Sequence, residues 1–396
     1  MPRLGTRTLR SRRERGIALL VVLSTLTLVT ATVADFQFNS RVDLELAINA
    51  RDSLQAEYNA LSALRLRAML LRQGRQVTSA IGGMLGALGM DAAMLPSMGQ
   101  MLEMVPIDCG VLSAITKVAA SDAGDTKGGG DEEGNVFNGE CSASSHSEHT
   151  KISLNAFANP AGNKAVSALI VGLLSNPAFE RHFQEDDKNG THAENPIELV
   201  GAIADWIDRD KIQAGNQVGD EDRYYTFLKH AYHAKNAPFD SLAELQMVHG
   251  VDDEMYDVLK DLVTVYANST QIELATAPDN ELVIGLIASF RPGVSFVDFF
   301  NHPGTGLLFR SIAEMRMLGA ATFSVLKVAT LIGLISGSGL EPLIDPAMVR
   351  QVFTDNQDTT WYRLEAEGRV GNATRRIRAV FQADERDQPF YYFRME

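Results

Sequence analysis

Hydrophobic residues follow three successive patterns along the chain, and each pattern predicts a different kind of element. An uncharged apolar run, 17–34, is followed without Gly or Pro by an amphipathic stretch that continues to residue 72. Apolar residues in 161–350 recur mainly at helical spacing, with short loops between the runs. From residue 361 onward apolar and polar residues alternate with period two on both sides of a predicted turn at Gly371 and Asn372, which is typical of half-buried strands. The patterns predict an α+β fold with a long N-terminal helix, a helical middle and a C-terminal antiparallel sheet.

The apolar run has two interpretations, a cleaved signal peptide or a retained membrane anchor. Six arginines precede Gly16, and the run itself contains eighteen residues. At 1.5 Å per residue it spans about 27 Å, which is enough to cross a bilayer, with the basic end on the cytoplasmic side. Small residues before Asp35 would suit a signal-peptidase site. Composition alone leaves both interpretations open.

The stretch after the run favours a retained anchor. Leucines and alanines between Leu54 and Leu71 form an apolar stripe at helical spacing. No turn signal separates this stripe from the apolar run. We therefore expect one helix from Ile17 to about Arg72, ending before Gly74 and roughly 84 Å long.

Composition restricts the classes of partner. The 396-residue chain has 50 acidic and 36 basic residues and a net charge of −14, with the basic residues concentrated near the two ends. An acidic middle repels phosphate backbones, so nucleic acid is not an expected partner. Cys109 and Cys141 are the two cysteines. They are a possible disulfide if the domain lies in an oxidising compartment, and two free thiols otherwise.

One segment, DWIDRDKIQAGNQVGDEDRYY, concentrates carboxylates on both sides of a Gly-containing loop. Calcium takes six to eight oxygen ligands, whereas zinc would need Cys or His, which this segment lacks. The spacing is not that of an EF-hand, and a solvated acidic loop is the alternative. The candidate oxygen ligands form two groups, Asp205, Asp208 and Asp210 before the loop and Asp220, Glu221 and Asp222 after it.

Other candidate chemistry is weak. His146 and His149 lie three residues apart in a Ser-rich stretch that offers no third zinc ligand. The chain contains no G-x-S-x-G nucleophile elbow and no phosphate-binding glycine fingerprint, so we expect no enzymatic activity. Residues 241–263 could form a helix-hairpin-helix element, but Asp252 and its acidic neighbours would repel phosphate. A packing role is the better interpretation of that element.

The N-terminal motif RRERGIALLVV resembles a type IV prepilin leader. In that family a membrane prepilin peptidase cuts after the glycine, here Gly16, so that Ile17 becomes the mature N-terminus and can be methylated. Most members carry a glutamate at the fifth mature position, where this chain has Val21. Lack of that glutamate is typical of the K-type minor pseudopilins of type II secretion. Because the glutamate is thought to pair with a neighbouring subunit, Val21 suits a subunit at the filament tip.

Further segments resemble the same family. KISLNAFANP, residues 151–160, is predicted to form a strand and resembles the family's first strand. QIELATAPDNELVIGLI resembles its second strand-and-helix entry, and the acidic segment resembles its calcium-binding D-W-x-D-x-D motif, with a departure at Asp220. The resemblance implies that the preferred metal ligands are Asp208, Asp210, Glu221 and Asp222, and that Asp205 acts as a cap or supports a ligand. Trp206 and Tyr225 are expected to pack beneath the acidic loop.

The resemblance implies a pilin-like helix and sheet plus a large inserted all-helical domain of two related subdomains. The expected divisions are a leader 1–16, a transmembrane and spine helix 17–73, a variable region 74–150, helical subdomains 151–270 and 271–350, and C-terminal strands 351–396.

The resemblance also implies a function. The chain would be a non-enzymatic, single-pass inner-membrane protein with a periplasmic head, and it would cap the type II secretion pseudopilus and help to initiate its assembly. Its expected partners are the I and J minor pseudopilins, other pseudopilins and the prepilin peptidase, with calcium as cofactor. The alternatives are a minor pilin of a type IV pilus and a secreted calcium-dependent hydrolase.

Overall fold

The computed structural model shows an elongated helix joined to a sheet and a helical insert. Its described residues are 12–87, 103, 107–110, 139–159, 163–185, 192–209, 211–214, 220–322, 326–355, 360–384 and 390–396. The combination confirms the predicted α+β class.

Helix α1, Arg12–Ala87, contains 76 residues and is about 114 Å long. It passes through Gly74, so the predicted end before this glycine is wrong. A single glycine inside a helix costs only about 1 kcal/mol relative to alanine, and no proline follows within the helix. The spine therefore extends into the region that was expected to be variable.

The face of α1 that packs on the sheet differs partly from the predicted stripe. Leu64 and Leu71 are buried as expected, but Leu54 and Tyr58 are 53% and 59% exposed. Small side chains replace them at the interface, because the sheet approaches closely. A Cβ at Gly368 of the sheet would collide with the backbone of α1. The buried alanines of α1 are Ala56, Ala60, Ala63 and Ala68.

The head sheet contains five antiparallel strands in the order β1-β2-β7-β8-β9. The strands are β1 Ile107–Asp108, β2 Glu140–Ser147, β7 Trp361–Val370, β8 Ala373–Gln382 and β9 Tyr392–Met395. The period-two prediction is confirmed for β7 and β8, where Tyr362, Leu364 and Phe381 point toward α1 and are buried. Strands β1 and β2 lie inside the predicted variable region, so that region contributes to the head.

Two contacts fix the direction of the head sheet along the spine. Arg375 donates from Nε to Ser53 Oγ at 2.9 Å, near the β7–β8 turn. At the other end of the sheet, Arg67 donates from Nε to Ser145 Oγ at 3.0 Å. The two spine positions are about 21 Å apart along the helix axis. The end of the sheet that holds Ser147, paired with Tyr362, is therefore farther from the apolar run.

The helical insert, residues 148–360, leaves β2 and returns to β7 at this far end. Its helices are α2 Asn163–Leu174, α3 Pro196–Ile207, α4 Arg223–Thr226, α5 Asp253–Leu262, α6 Asp279–Ala288, α7 Phe296–Asn301, α8 Pro303–Thr322, α9 Val328–Gly337 and α10 Pro346–Val352. Short 3-10 helices cover Glu148–Thr150, Leu154–Ala158, Pro177–Phe183 and Leu242–Met247.

Each half of the insert is closed by a pair of two-residue parallel strands. Strand β3, Ile152–Ser153, pairs with β4, Val263–Thr264. Strand β5, Ile272–Glu273, pairs with β6, Phe353–Thr354. The first half therefore runs from β3 to β4 and the second from β5 to β6, as two subdomains that open and close alike.

These strands revise two predicted details. The strand expected over 151–160 is limited to β3, because a 3-10 helix begins at Leu154. The last two residues of the second subdomain are Phe353 and Thr354, so its end lies beyond residue 350. Helices α2 and α6 of the two subdomains touch at Gly172, where a Cβ would lie 2.9 Å from the backbone nitrogen of Ala288. One hydrophobic core spans both subdomains.

Candidate functional site

The first functional element is the exposed N-terminal part of α1. All residues from 17 to 50 are exposed, and the most apolar 18-residue window has a mean hydropathy of 2.3 with none of it buried. Exposure of apolar side chains to water is unfavourable, whereas the same side chains are stable in the hydrocarbon of a bilayer. This segment fits a single-pass membrane anchor. Gly16 and Ile17 both lie within α1, and processing between them remains a prediction.

The acidic segment begins where α3 ends. Asp208 is the C-terminal cap residue of α3. Asp205, one turn earlier, is 4% exposed and accepts the backbone N–H of Ala214 at Oδ1, 2.6 Å away. An isolated bridge pairs Ile212 with Asp220. Asp205 therefore holds the start of the loop against the helix, and its expected role in supporting a metal ligand stays a prediction.

Glu221 and Asp222 are both buried despite their charge. Asp222 Oδ1 accepts the N–H of Ala234 at 2.8 Å, and Oδ2 lies 2.9 Å from Nδ1 of His233. Burial alone would raise the pKa of Asp222, but these hydrogen bonds and the nearby charge of His233 lower it overall. Asp222 therefore ties the end of the loop to the chain that follows α4.

Aromatic rings form the floor of this segment, as the sequence predicted. Trp206 and Tyr225 are buried and meet edge to face with centroids 5.6 Å apart. Phe239 stacks on the other side of Trp206 at 6.4 Å. The Tyr225 hydroxyl accepts the N–H of His249 at 3.3 Å, and burial raises the pKa of Tyr225. This floor fixes the direction in which α3 presents its terminal carboxylates.

The calcium site stays a prediction. Asp208, Glu221 and Asp222 lie in the described part of the segment, whereas Asp210 lies outside it. Among the described residues, no group of three or more His, Cys, Asp or Glu side chains is arranged to hold a metal. The chemistry of the donors still fits, because they are carboxylates gathered at a loop and two of them are withdrawn from solvent.

A cavity of about 490 Å³ lies beside the acidic segment, between α2, α3 and the start of the loop. Its polar wall contains Glu198, Gln213 and Tyr224. Tyr224 donates its hydroxyl proton to Glu198 Oε1 at 2.7 Å and accepts from Gln213 Nε2 at 3.2 Å. Burial and the Glu198 carboxylate raise the pKa of Tyr224. Sequence reasoning missed this site, because its residues are scattered and carry no motif.

Cys109 and Cys141 are joined by a disulfide, with Cα atoms 5.0 Å apart. Cys141 lies in β2, and Cys109 directly follows β1. The bridge closes a loop of 32 residues, and the chain-entropy model gives it about 3–4 kcal/mol of stabilisation. It holds the β1 edge of the head sheet in place.

The long helix packs by its later part on an antiparallel sheet, which is a pilin-like arrangement, and its exposed apolar first part fits a membrane anchor. The helical insert at the far end of the sheet is the additional feature. Residues 152–268, which cover the first helical subdomain, match the family model for type II secretion system protein K, first domain. The chain is therefore similar to type II secretion system protein K, which confirms the resemblance predicted from sequence.

Two curated proteins and one solved structure are similar to this chain. The chain is 25% identical to type II secretion system protein K of Klebsiella pneumoniae over 282 residues, 70% of this chain and 71% of the relative. It is 27% identical to the protein K of Pectobacterium carotovorum subsp. carotovorum over 122 residues, 31% of this chain and 35% of the relative. A crystal structure of the GspK-GspI-GspJ complex from enterotoxigenic Escherichia coli aligns with 72% of this chain and 94% of the matched chain, with 16% identity and a TM-score of 0.43.

Proposed function

We propose that this protein is a minor pseudopilin that caps the tip of the type II secretion pseudopilus and helps to initiate its assembly. The family match of the first helical subdomain carries the proposal. The position of the insert supports it, because the insert joins the sheet at the end farther from the membrane anchor. A bulky domain at that end would obstruct a further subunit above it.

The surface of α1 suits lateral packing of neighbouring spines. Leu54, Tyr58 and Met69 are each more than half exposed. Exposed apolar side chains along the spine are typical of a surface that another helix covers. Val21, in place of the glutamate that most relatives use to pair with a neighbour, fits a subunit with nothing above it.

The proposed partners are the I and J minor pseudopilins, other pseudopilins and the prepilin peptidase. The chain would be anchored in the inner membrane with its head in the periplasm, and the disulfide between Cys109 and Cys141 suits that oxidising compartment. Its action would be assembly, with no chemical step.

N-terminal sequencing of the protein purified from membranes tests this function. We expect the mature chain to begin at Ile17, N-methylated, after removal of the leader by the prepilin peptidase. A strain without the peptidase should retain the leader. A mature terminus near Asp35 would instead show a secreted protein and would contradict the proposal.

The tip position needs a separate test. In a strain that lacks the native K-type gene, the full chain should restore secretion, and a variant in which residues 148–360 are replaced by a short turn should insert in the membrane but not cap. Immunogold labelling should find the full chain only at pseudopilus ends. Label distributed along the filament would overturn the tip assignment and leave the pseudopilin assignment intact.

We also propose that calcium binds the acidic segment. Carboxylates that are brought together oppose each other unless a cation lies between them, so removal of calcium should destabilise the first helical subdomain. If calcium is present at about 100 times its Kd, chelation should cost about 2.7 kcal/mol. Calorimetry of the full chain with and without EGTA measures this loss.

The double variant Asp208→Ala and Glu221→Ala should melt at the same temperature with and without EGTA. Asp298→Ala, in the second subdomain, is the matched control and should keep the wild-type response. A wild-type melting temperature that does not change on chelation would remove the calcium proposal.

A further inference from the structure

The head sheet has two edge strands that differ in how they are protected. Strand β1 contains two residues, and the disulfide of the following Cys109 ties it to β2. Strand β9 contains four residues, and all of them are exposed. Among the described residues, no strand pairs with the outer side of β9. Strand β9 is therefore an edge that another extended chain can reach.

The outward backbone groups of β9 follow from its pairing with β8. Arg376 and Glu396 exchange both of their backbone hydrogen bonds, at 3.0 and 2.8 Å. In an antiparallel pair, such bonded positions alternate with positions whose N–H and C=O groups point away from the partner strand. Arg394 is therefore bonded to β8, whereas Phe393 and Met395 direct their N–H and C=O groups to the outside. These four groups are the donors and acceptors that a further strand needs.

One face of β9 is apolar. Phe393 and Met395 lie on the face toward α1, because the residues opposite them on β8 are buried in the cluster that includes α1. Their side chains are nevertheless 44% and 38% exposed. The apolar surface of the sheet therefore continues past its contact with α1, and apolar residues on a further strand would cover it.

The other face of β9 carries two neighbouring arginines. Arg394 lies directly opposite Arg378, and both side chains are more than half exposed. The ion pairs that these arginines make, with Glu396 at 3.1 Å and Glu365 at 3.5 Å, are themselves exposed and contribute little. Like charges directly opposite each other weaken strand pairing. A carboxylate on a further strand, placed opposite Arg394, would offset this repulsion.

We propose that β9 binds an extended segment of a partner protein as a sixth strand of the head sheet. The segment has a carboxylate flanked by apolar residues, so that the apolar side chains contact Phe393 and Met395 while the carboxylate lies opposite Arg394. A second copy of β9 lacks this chemistry, because its central position is itself an arginine. Main-chain hydrogen bonds supply the affinity of such a strand, and the alternating side chains supply its specificity.

Hydrogen exchange of single β9 amides tests the proposal on the full chain in detergent micelles. The probe is the peptide acetyl-Thr-Val-Glu-Val-Thr-amide, which has the same sequence in both directions, and a second peptide has lysine in place of glutamate. In the free protein the outward amides of Phe393 and Met395 should exchange faster than that of Arg394, which is bonded to β8. The glutamate peptide at millimolar concentration should slow both outward amides at least about threefold, and the lysine peptide should bind about fivefold more weakly.

Several results would overturn the proposal. Outward amides that do not respond to the glutamate peptide would show that no strand joins this edge, and equal responses to the two peptides would show that Arg394 selects nothing. Outward amides that are already slow in the free protein would show that this chain covers its own edge. If that protection rises with protein concentration, the occupant is a second copy.

Variants separate strand addition from unspecific adhesion. Arg394→Glu should reverse the preference, so that the lysine peptide binds about fivefold more tightly than the glutamate peptide. Phe393→Pro removes an outward N–H that β8 does not use, so the peptide should no longer slow Met395 while Arg394 keeps its slow exchange. Arg369→Glu, a charge reversal on β7 away from this edge, should behave like wild type. An Arg394→Glu protein with the wild-type preference would contradict the site even if the proline variant does not fold.

This inference does not depend on the proposed function. The exchange assay uses no secretion component, so it can succeed if the protein does not cap a pseudopilus and fail if it does.

Discussion

Each helical subdomain is closed by a pair of two-residue parallel strands, but different side chains support the two closures. In the first subdomain, Asn155 supports the closure with three hydrogen bonds. Its Nδ2 donates to the carbonyls of Phe239 and Val265 at 3.0 and 2.7 Å, and its Oδ1 accepts the N–H of Phe239 at 2.7 Å. In the second, the ring of Phe353 lies directly over Gly285 of α6. The main side-chain contact of the first closure is a set of hydrogen bonds, and that of the second is a buried ring on a glycine.

The difference matches what each subdomain carries. The first holds the acidic segment and the cavity, with buried carboxylates at a loop, whereas the buried carboxylates of the second, Glu273 and Glu281, lie in β5 and α6. Hydrogen bonds fix the relative orientation of the groups that they join, whereas apolar packing requires only that the space between side chains is filled. The two subdomains therefore share a backbone arrangement, and the candidate functional residues of the insert described above lie in the first of them.

The largest expected effect comes from Phe353→Ala. Removing a fully buried ring over a glycine leaves a cavity, and such changes cost about 3–5 kcal/mol. Denaturant unfolding of the full chain in detergent measures the loss, and hydrogen exchange should localise faster exchange to β5 and β6. Phe227→Ala, at a residue that is 90% exposed, should have almost no effect. Faster exchange at β3 and β4 instead would show that the two closures are not independent.

Asn155→Leu tests the polar closure. The change leaves two carbonyls and one N–H without their partner, and we expect a loss of about 2–3 kcal/mol. Exchange should increase at β3 and β4. The matched change is Gln271→Ala, whose Nε2 donates to Arg350 and Phe353 carbonyls in the other subdomain from a more exposed position. It should cost less than Asn155→Leu, and equal losses would remove the contrast between the closures.

Substitutions at two glycines in the second subdomain test whether side-chain volume determines its closure. Gly285→Ala places a methyl group into the Phe353 ring and should cost about 1–3 kcal/mol. Gly333→Ala in α9 meets no atom within 4 Å and should stabilise by up to about 1 kcal/mol. Thermal unfolding distinguishes the two variants. A stable Gly285→Ala protein would mean that Phe353 can move, and that volume does not define this closure.

The smallest expected effect is Asp222→Asn, measured in EDTA. The folded state lowers the pKa of Asp222 below its ordinary value of 3.8, so the carboxylate stabilises the fold above that pH and the contribution disappears as the pH falls. We expect a loss of about 1 kcal/mol at neutral pH that diminishes toward pH 3. Asp298→Asn at an exposed capping box in the second subdomain should lose less. A loss that is constant with pH would show that charge is not the cause.

Local patterns in the sequence predicted the parts of the fold that local interactions determine. The alternation at Tyr362 and Leu364 and the turn at Gly371, which has a positive φ of 56°, identified β7 and β8. The closures were invisible, because two-residue strands such as β5 and β6 have no period and pair across some eighty residues. The exposed side of Leu54 could not be predicted either, because the depth of contact depends on Gly368 in a distant strand.

The candidate site shows the same limit. Trp206 and Tyr225 pack together as expected, since they lie on α3 and α4 in the same short segment. The cavity was missed because its polar wall is formed by hydrogen bonds from Gln213 to Tyr224 and from Tyr224 to Glu198. Only the folded arrangement brings those residues together.

The pairing of Ser147 with Tyr362 makes the whole insert equivalent to an oversized hairpin loop. Loop-closure entropy grows only slowly with loop length, so a long excursion between two paired strand ends is inexpensive for the sheet that hosts it. The insert supplies its own core and can therefore gain, lose or exchange parts while the strands on either side keep their register. Evolutionary changes in the insert could therefore alter the surface at the far end of the molecule without altering the N-terminal helix α1.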